Sequence, residues 1–237
     1  WSKGNKCLND SSQFNDVSSI VNGAVASRFW SFGNGQTSAS ASDQILYADT
    51  GTYSVELIVL TDSGCYDTVS KYHVIHDLPL VFPALEPVCP GDLLTLIDTS
   101  ISQNPFTINQ WFWDIQDNGI VDYTGTGNQH GFPFPGTGFY NVELRVEDNY
   151  GCTDSLTVTT KVHPHPNAEM ATLNACLGKN VAVFDSSVVD TGNIVGWLWD
   201  MSTGDTLTQA LNLYEYTTTG LKIINLIVTS DDQCRDT

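Results

Sequence analysis

Three stretches of this chain alternate apolar and polar residues with a period of two: Tyr53–Val59, Tyr140–Glu147 and Lys222–Val228. That is the pattern of a strand buried on one face. No stretch of useful length carries a helical stripe. Asn-Gly, Asp-Asn-Gly and Ser-Gly pairs separate the short apolar runs throughout. The pattern predicts an all-β chain built of sandwiches. Ahead of each alternating strand stands a tryptophan followed by a glycine turn, at Trp30–Gly35, Trp113–Gly119 and Trp199–Gly204. The tryptophans are 83 and 86 residues apart, and a feature returning at such a period marks a module.

Three modules of about 80 residues follow, at residues 1–78, 79–165 and 166–237, arranged as an elongated array. The first lacks an opening strand comparable to Leu80–Leu85, and the third lacks a closing strand comparable to Thr68–Ile75 and Ser155–Val162. This predicts an array that continues in both directions, the other possibility being edges completed by a second chain. The linkers His76–Pro79 and His163–Pro166 carry prolines, which stiffen them and stop strands running through. His163 and His165 read as linker residues rather than metal ligands, because no third ligand accompanies them.

Composition narrows the partners. The chain is 41% apolar and carries a net charge of −18, so it is globular and repelled by nucleic acid. No apolar run approaches the ~18 residues needed to cross a bilayer, which predicts no membrane insertion in this segment.

The six cysteines also repeat. Each module has an early and a late one, 58, 63 and 58 residues apart. That period predicts the pairs Cys7–Cys65, Cys89–Cys152 and Cys176–Cys234, formed in an oxidising compartment, each worth about 4 kcal/mol in the chain-entropy model. Close C-x-x-C pairs, which a structural zinc site would use, are absent.

The tryptophans Trp30, Trp113 and Trp199 are expected in the cores. Trp111 and Trp197 share their face and lie nearer the strand start, where a sugar platform is conceivable. Phe29, Phe112 and Leu198 point the other way and are candidates for a contact face. In the second repeat Asp114, Asp117 and Asp122 surround a glycine turn and offer hard oxygens to calcium, without matching the spacing of known calcium loops. Asp and Asn are equally the ordinary residues of tight turns. No cofactor other than calcium is expected. No catalytic residues are found: there is no Gly-x-Ser-x-Gly, no H-E-x-x-H, and histidine is missing from the third repeat.

The chain resembles three tandem PKD domains, the immunoglobulin-like sandwiches of many cell-surface proteins. The resemblance rests on Trp113-Asp114 and its counterparts, followed by the strand Gly51–Leu57, Gly138–Leu144 or Gly220–Leu226. Ser31 and Lys222 depart from the motif, standing where Asp and Tyr are usual. The late element Gly64–Thr68, Gly151–Ser155 and Cys234–Thr237 is similar to a cysteine-bearing subtype found in large exported proteins of the Bacteroidota, including surface adhesins. That similarity implies a secreted, extracellular filament or adhesin, export by a type IX route, and O-glycosylation at Asp-Ser/Thr-apolar triplets on Thr68, Ser155 and Thr206. The implied function is a non-catalytic spacer or stalk whose partners are neighbouring repeats, with other copies of the chain or surface glycans as further candidates. The alternatives are a carbohydrate- or protein-binding module and an accessory region of a secreted hydrolase.

Overall fold

The computed structural model describes residues 6–102, 106–125 and 129–237. The described residues form strands and turns with no helix. Buried side chains gather in three separate clusters, one per repeat. They centre on Trp30, on Trp113 and on Trp199, each fully buried.

The alternating strands supply these cores as their period demands. Val55 and Leu57, Val142, Leu144 and Val146, and Leu226 and Val228 all face inward. In the first repeat the main sheet runs in the order Lys6–Cys7, Tyr66–His76, Gly51–Thr61, Val25–Ser31 and Thr37–Ser38. A second sheet pairs Ser11–Asn15 with Ser42–Leu46. The second repeat orders Tyr123–Gly125, Ile108–Asp114, Gly138–Asp148 and Thr153–Val162 in one sheet. Gln129–Pro133, Leu93–Asp98 and Pro83–Ala84 form the other. The third repeat has the same two sheets, built on Ile194–Asp200 with Asn225–Ser230 and on Asn180–Asp185.

One cross-sheet clamp recurs in all three repeats. A carboxylate after the first long strand caps the backbone N–H of a serine two residues on, at 2.8–2.9 Å: Asp16 with Ser18, Asp98 with Ser100 and Asp185 with Ser187. Its other oxygen accepts from the residue two before the core tryptophan, which is Arg28, Trp111 or Trp197. The sequence signal is Asp-x-Ser, which looks like ordinary loop composition until its partner is seen. The clamp holds Trp111 and Trp197 by their indole N–H and leaves both partly buried, so they form no open aromatic platform.

Burial opposes ionisation of Asp16, but hydrogen bonds from Ser18 and Arg28 outweigh it and hold the carboxyl below its ordinary value. A depressed folded-state pKa contributes stability above the unfolded value and loses it as pH falls through the folded one. The first repeat is therefore expected to lose stability as pH drops below about 4. Replacing Asp16 with Asn should flatten that part of the dependence of melting temperature on pH.

Lys222 keeps the geometry of the tyrosine it replaces. Tyr53 and Tyr140 each donate a hydroxyl to the carbonyl four residues upstream, on Asp49 and Gly136. The Lys222 ammonium instead reaches the Thr218 hydroxyl, also four residues upstream, at 2.8 Å.

Candidate functional site at the module junctions

The cysteines do not pair within repeats. The bonds run between them, Cys7 to Cys152 and Cys89 to Cys234, with Cα atoms 5.5 and 5.6 Å apart. Cys65 and Cys176 are free and exposed. The pairs Cys7–Cys65, Cys89–Cys152 and Cys176–Cys234 are thus corrected, and strand register gives the reason. Cys7 lies beside His76, at the end of the strand Tyr66–His76, in a short parallel pairing. Cys65 immediately precedes the start of that same 11-residue strand. At about 3.3 Å per residue the two cysteines sit about 35 Å apart, at opposite poles of one sandwich. A disulfide needs Cα atoms within about 7 Å. In the second repeat, Val88 pairs with Val162 and Cys152 precedes the strand Thr153–Val162, which gives the same separation of poles. The early cysteine of one module therefore meets the late cysteine of the next.

Both halves of this junction are built alike in every repeat. Each early cysteine opens a turn in which its carbonyl accepts from the N–H three residues on, at 3.0–3.1 Å: Asp10, Asp92 and Lys179. The residue before that donor has positive φ in each case: Asn9, Gly91 and Gly178. Each late cysteine closes a hairpin. Its carbonyl accepts from the N–H four residues back, on Thr61, Asp148 or Ser230, at 2.8–3.0 Å. The residue before the cysteine again has positive φ: Gly64, Gly151 and Gln233. Side-chain oxygens of Thr61, Asp148 and Ser230 hold the cysteine N–H groups from below.

In the first and second repeats a histidine at the end of the closing strand touches the incoming late hairpin two residues before its cysteine. The His76 ring lies 4.4 Å from that of Tyr150, with Phe106 completing the cluster. At the second junction His163 Nδ1 stands 2.6 Å from an Asp232 carboxylate oxygen. The His165 ring bridges carbonyls on both sides of that junction, Pro90 at 2.9 Å and Arg235 at 3.1 Å. A neutral imidazole donates only one of those bonds, and a protonated one donates both. The linker histidines are thus packing residues of the junctions.

The acidic turn of the second repeat is largely self-satisfied. Asp114 is buried and its carboxylate accepts from the N–H groups of Gln116, Asn118 and Gly119. Asp122 turns to the Ile115 N–H at 2.7 Å. The carboxylates that approach one another are Asp114, Asp117 and Glu143, with one oxygen each within 4.8 Å. Glu143 enters because it is the cross-strand neighbour of Asp114. Of the outward apolar residues, Phe29 and Leu198 are 48% and 42% exposed, whereas Arg145 covers the Phe112 ring at 4.1 Å. Thr68, Ser155 and Thr206 are all exposed.

The family of PKD domains matches residues 4–75 and 82–164, two tandem copies that together cover more than half of the sequence. The chain belongs to the PKD domain family. Modules of this family are immunoglobulin-like and generally non-catalytic. A pre-pro-metalloprotease, PrtV, of Vibrio cholerae serotype O1 is 30% identical over 149 residues, which is 62% of this chain. The chain spans only 16% of that protein's length. Among solved structures, the three N-terminal domains of the bacteriophage RB49 outer capsid protein Hoc are 11% identical. That match covers 98% of this chain and 93% of that one, with a TM-score of 0.44. The N-terminal eight immunoglobulin domains of the Down syndrome cell adhesion molecule are 13% identical, covering 98% of this chain and 31% of that one, with a TM-score of 0.48.

Proposed function

We propose that these PKD modules form a tension-resisting, non-catalytic spacer of a long extracellular repeat protein, with modules bounded near residues 78 and 165. The observation that carries this reading is the pair of disulfides joining successive modules pole to pole with one spacing, 145 residues in each case. Bonds placed this way leave the individual folds to their own cores and secure the connections between them. They also require an oxidising compartment, which suits a secreted protein. The partners in this reading are the neighbouring repeats of the same chain. Thr68, Ser155 and Thr206 present accessible hydroxyls for O-glycosylation, which intact-mass measurement on material from the native host checks through hexose-sized increments.

The alternative is a binding module for a surface glycan or protein, and the exposed Phe29 and Leu198 favour it. A glycan array discriminates the two. The spacer reading expects no saturable binding. Saturable binding lost on replacing Phe29 or Leu198 with Ser would replace it. Calcium is not needed by the spacer, since Asp114 and Asp122 already accept backbone hydrogen bonds. The expected melting temperature is the same with millimolar calcium and with chelator. A rise with calcium that is lost in the Asp117→Asn variant would assign the ion to Asp114, Asp117 and Glu143.

A further inference from the structure

Two of the six half-junctions are unoccupied by a partner. Cys176 opens the same turn as Cys7 and Cys89, with its carbonyl bonded to Lys179 N–H at 3.0 Å and positive φ at Gly178. Cys65 closes the same hairpin as Cys152 and Cys234, with its carbonyl bonded to Thr61 N–H at 2.8 Å and positive φ at Gly64. In the bonded junctions these cysteines are mostly hidden: Cys7 is 9%, Cys152 0% and Cys234 1% exposed. Cys65 and Cys176 are exposed.

Cys176 also lies in a groove of about 340 Å3 lined with Leu177, Tyr216, Leu221 and Ile224. Leu177 and Leu221 there are 57% and 93% exposed. In the other two repeats the start of the neighbouring strand is paired, Gly51 with Ile75 and Gly138 with Val162. The corresponding segment from Gly220 to Ile224 pairs with no strand among the described residues. That edge is the one that Ile75 and Val162 cover in the first two repeats. The other early and late cysteines, Cys7, Cys89, Cys152 and Cys234, are already bonded to one another, so the complementary thiols belong to other modules.

We infer that Cys65 and Cys176 are the open halves of further junctions of the same kind, each forming a disulfide with another cysteine-bearing PKD module. Cys65 takes the early cysteine of a preceding module, and Cys176 takes the late cysteine of a following one. The inference rests on the serial arrangement proposed above, but its test reads bond formation rather than ligand binding, so the two can fail separately. A second copy of this chain carries both complementary halves and serves as the probe.

Oxidised glutathione is the oxidant. The thiolate of Cys65 attacks it, and one glutathione leaves as thiol. The thiolate of Cys176 on the second copy then attacks the mixed disulfide and releases the other glutathione. One intermolecular disulfide forms for each oxidised glutathione reduced to two thiols.

The experiment mixes equal amounts of C65S and C176S chains with oxidised glutathione and compares the mixture with each variant alone. Docking that aligns Cys176 with Cys65 raises their effective concentration, so the mixture is expected to yield about tenfold more covalent dimer than either variant alone. Peptide mapping should then find Cys65 joined to Cys176. Equal dimer in the single-variant samples would show unselective oxidation of exposed thiols and overturn the inference. A mixture that remains monomeric, with both thiols capped by glutathione, would overturn it equally.

Discussion

Pulled from Lys6 and Thr237, the oxidised chain is expected to extend far less than the reduced one. The shortest covalent path from Cys7 to Cys234 crosses the Cys7–Cys152 bond, runs back along the chain to Cys89, and crosses to Cys234. Only the 63 residues between Cys89 and Cys152 lie on that path, whereas 227 separate Cys7 from Cys234 along the backbone. At about 3.5 Å per extended residue, full unravelling gives about 220 Å when oxidised and about 800 Å when reduced. Single-molecule force spectroscopy with and without reductant measures the difference. Pairing within repeats would give a different number, because each bond would excise its own module and leave the linkers. The staggered pairing thus sets a hard limit on length that no independent folding of the modules could supply. The same bonds act without load. Each closes a loop of 145 residues spanning parts of two modules, worth about 5 kcal/mol in the chain-entropy model and shared between them. Cys7→Ser should accordingly lower the melting of the first two repeats together and leave the third nearly unchanged.

Trp113→Ala is expected to have the largest effect of any single core substitution in the second repeat. The side chain is fully buried in the cluster that includes Leu94, Leu96, Ile115 and Leu144. Truncating a buried Trp costs about 3–5 kcal/mol through lost burial and the cavity left behind, against a typical domain stability of about 5–15 kcal/mol. Trp111→Ala should cost less, about 1–3 kcal/mol, through the indole N–H that Asp98 loses. Urea denaturation followed by tryptophan fluorescence checks both, and the order of the two variants matters more than their absolute values. Equal effects would mean that the clamp at Asp98 contributes as much as the core it braces.

These expectations show where sequence was a sufficient guide. The period-two strands and the repeated tryptophan identify the inward faces, because a strand buried on one side leaves little choice about which residues enter the core. The same reasoning treats a repeated pair of cysteines as belonging to one module. That step fails on length. An 11-residue strand runs between Cys65 and the partner position of Cys7, and no local pattern reports that the two cysteines occupy opposite poles. A signal was nonetheless present. The spacing within repeats varies between 58 and 63 residues, while Cys7 to Cys152 and Cys89 to Cys234 are both 145 residues apart. The Asp16, Asp98 and Asp185 clamps were hidden for another reason: Asp and Ser in a loop need no partner to look ordinary. Phe112 differs from Phe29 and Leu198 in its cross-strand neighbour, Arg145, which pairing across the sheet supplies.

Tryptic mapping of the oxidised chain without reduction is the most direct test of the staggered junctions. Cleavage after Lys6, Arg28, Lys71, Arg145, Lys161, Lys179, Lys222 and Arg235 places each of the six cysteines in a different peptide. The structure predicts two linked pairs, the Cys7 peptide with that of Cys152 and the Cys89 peptide with that of Cys234. A Cys7 peptide joined to that of Cys65, or a Cys89 peptide joined to that of Cys152, would contradict it.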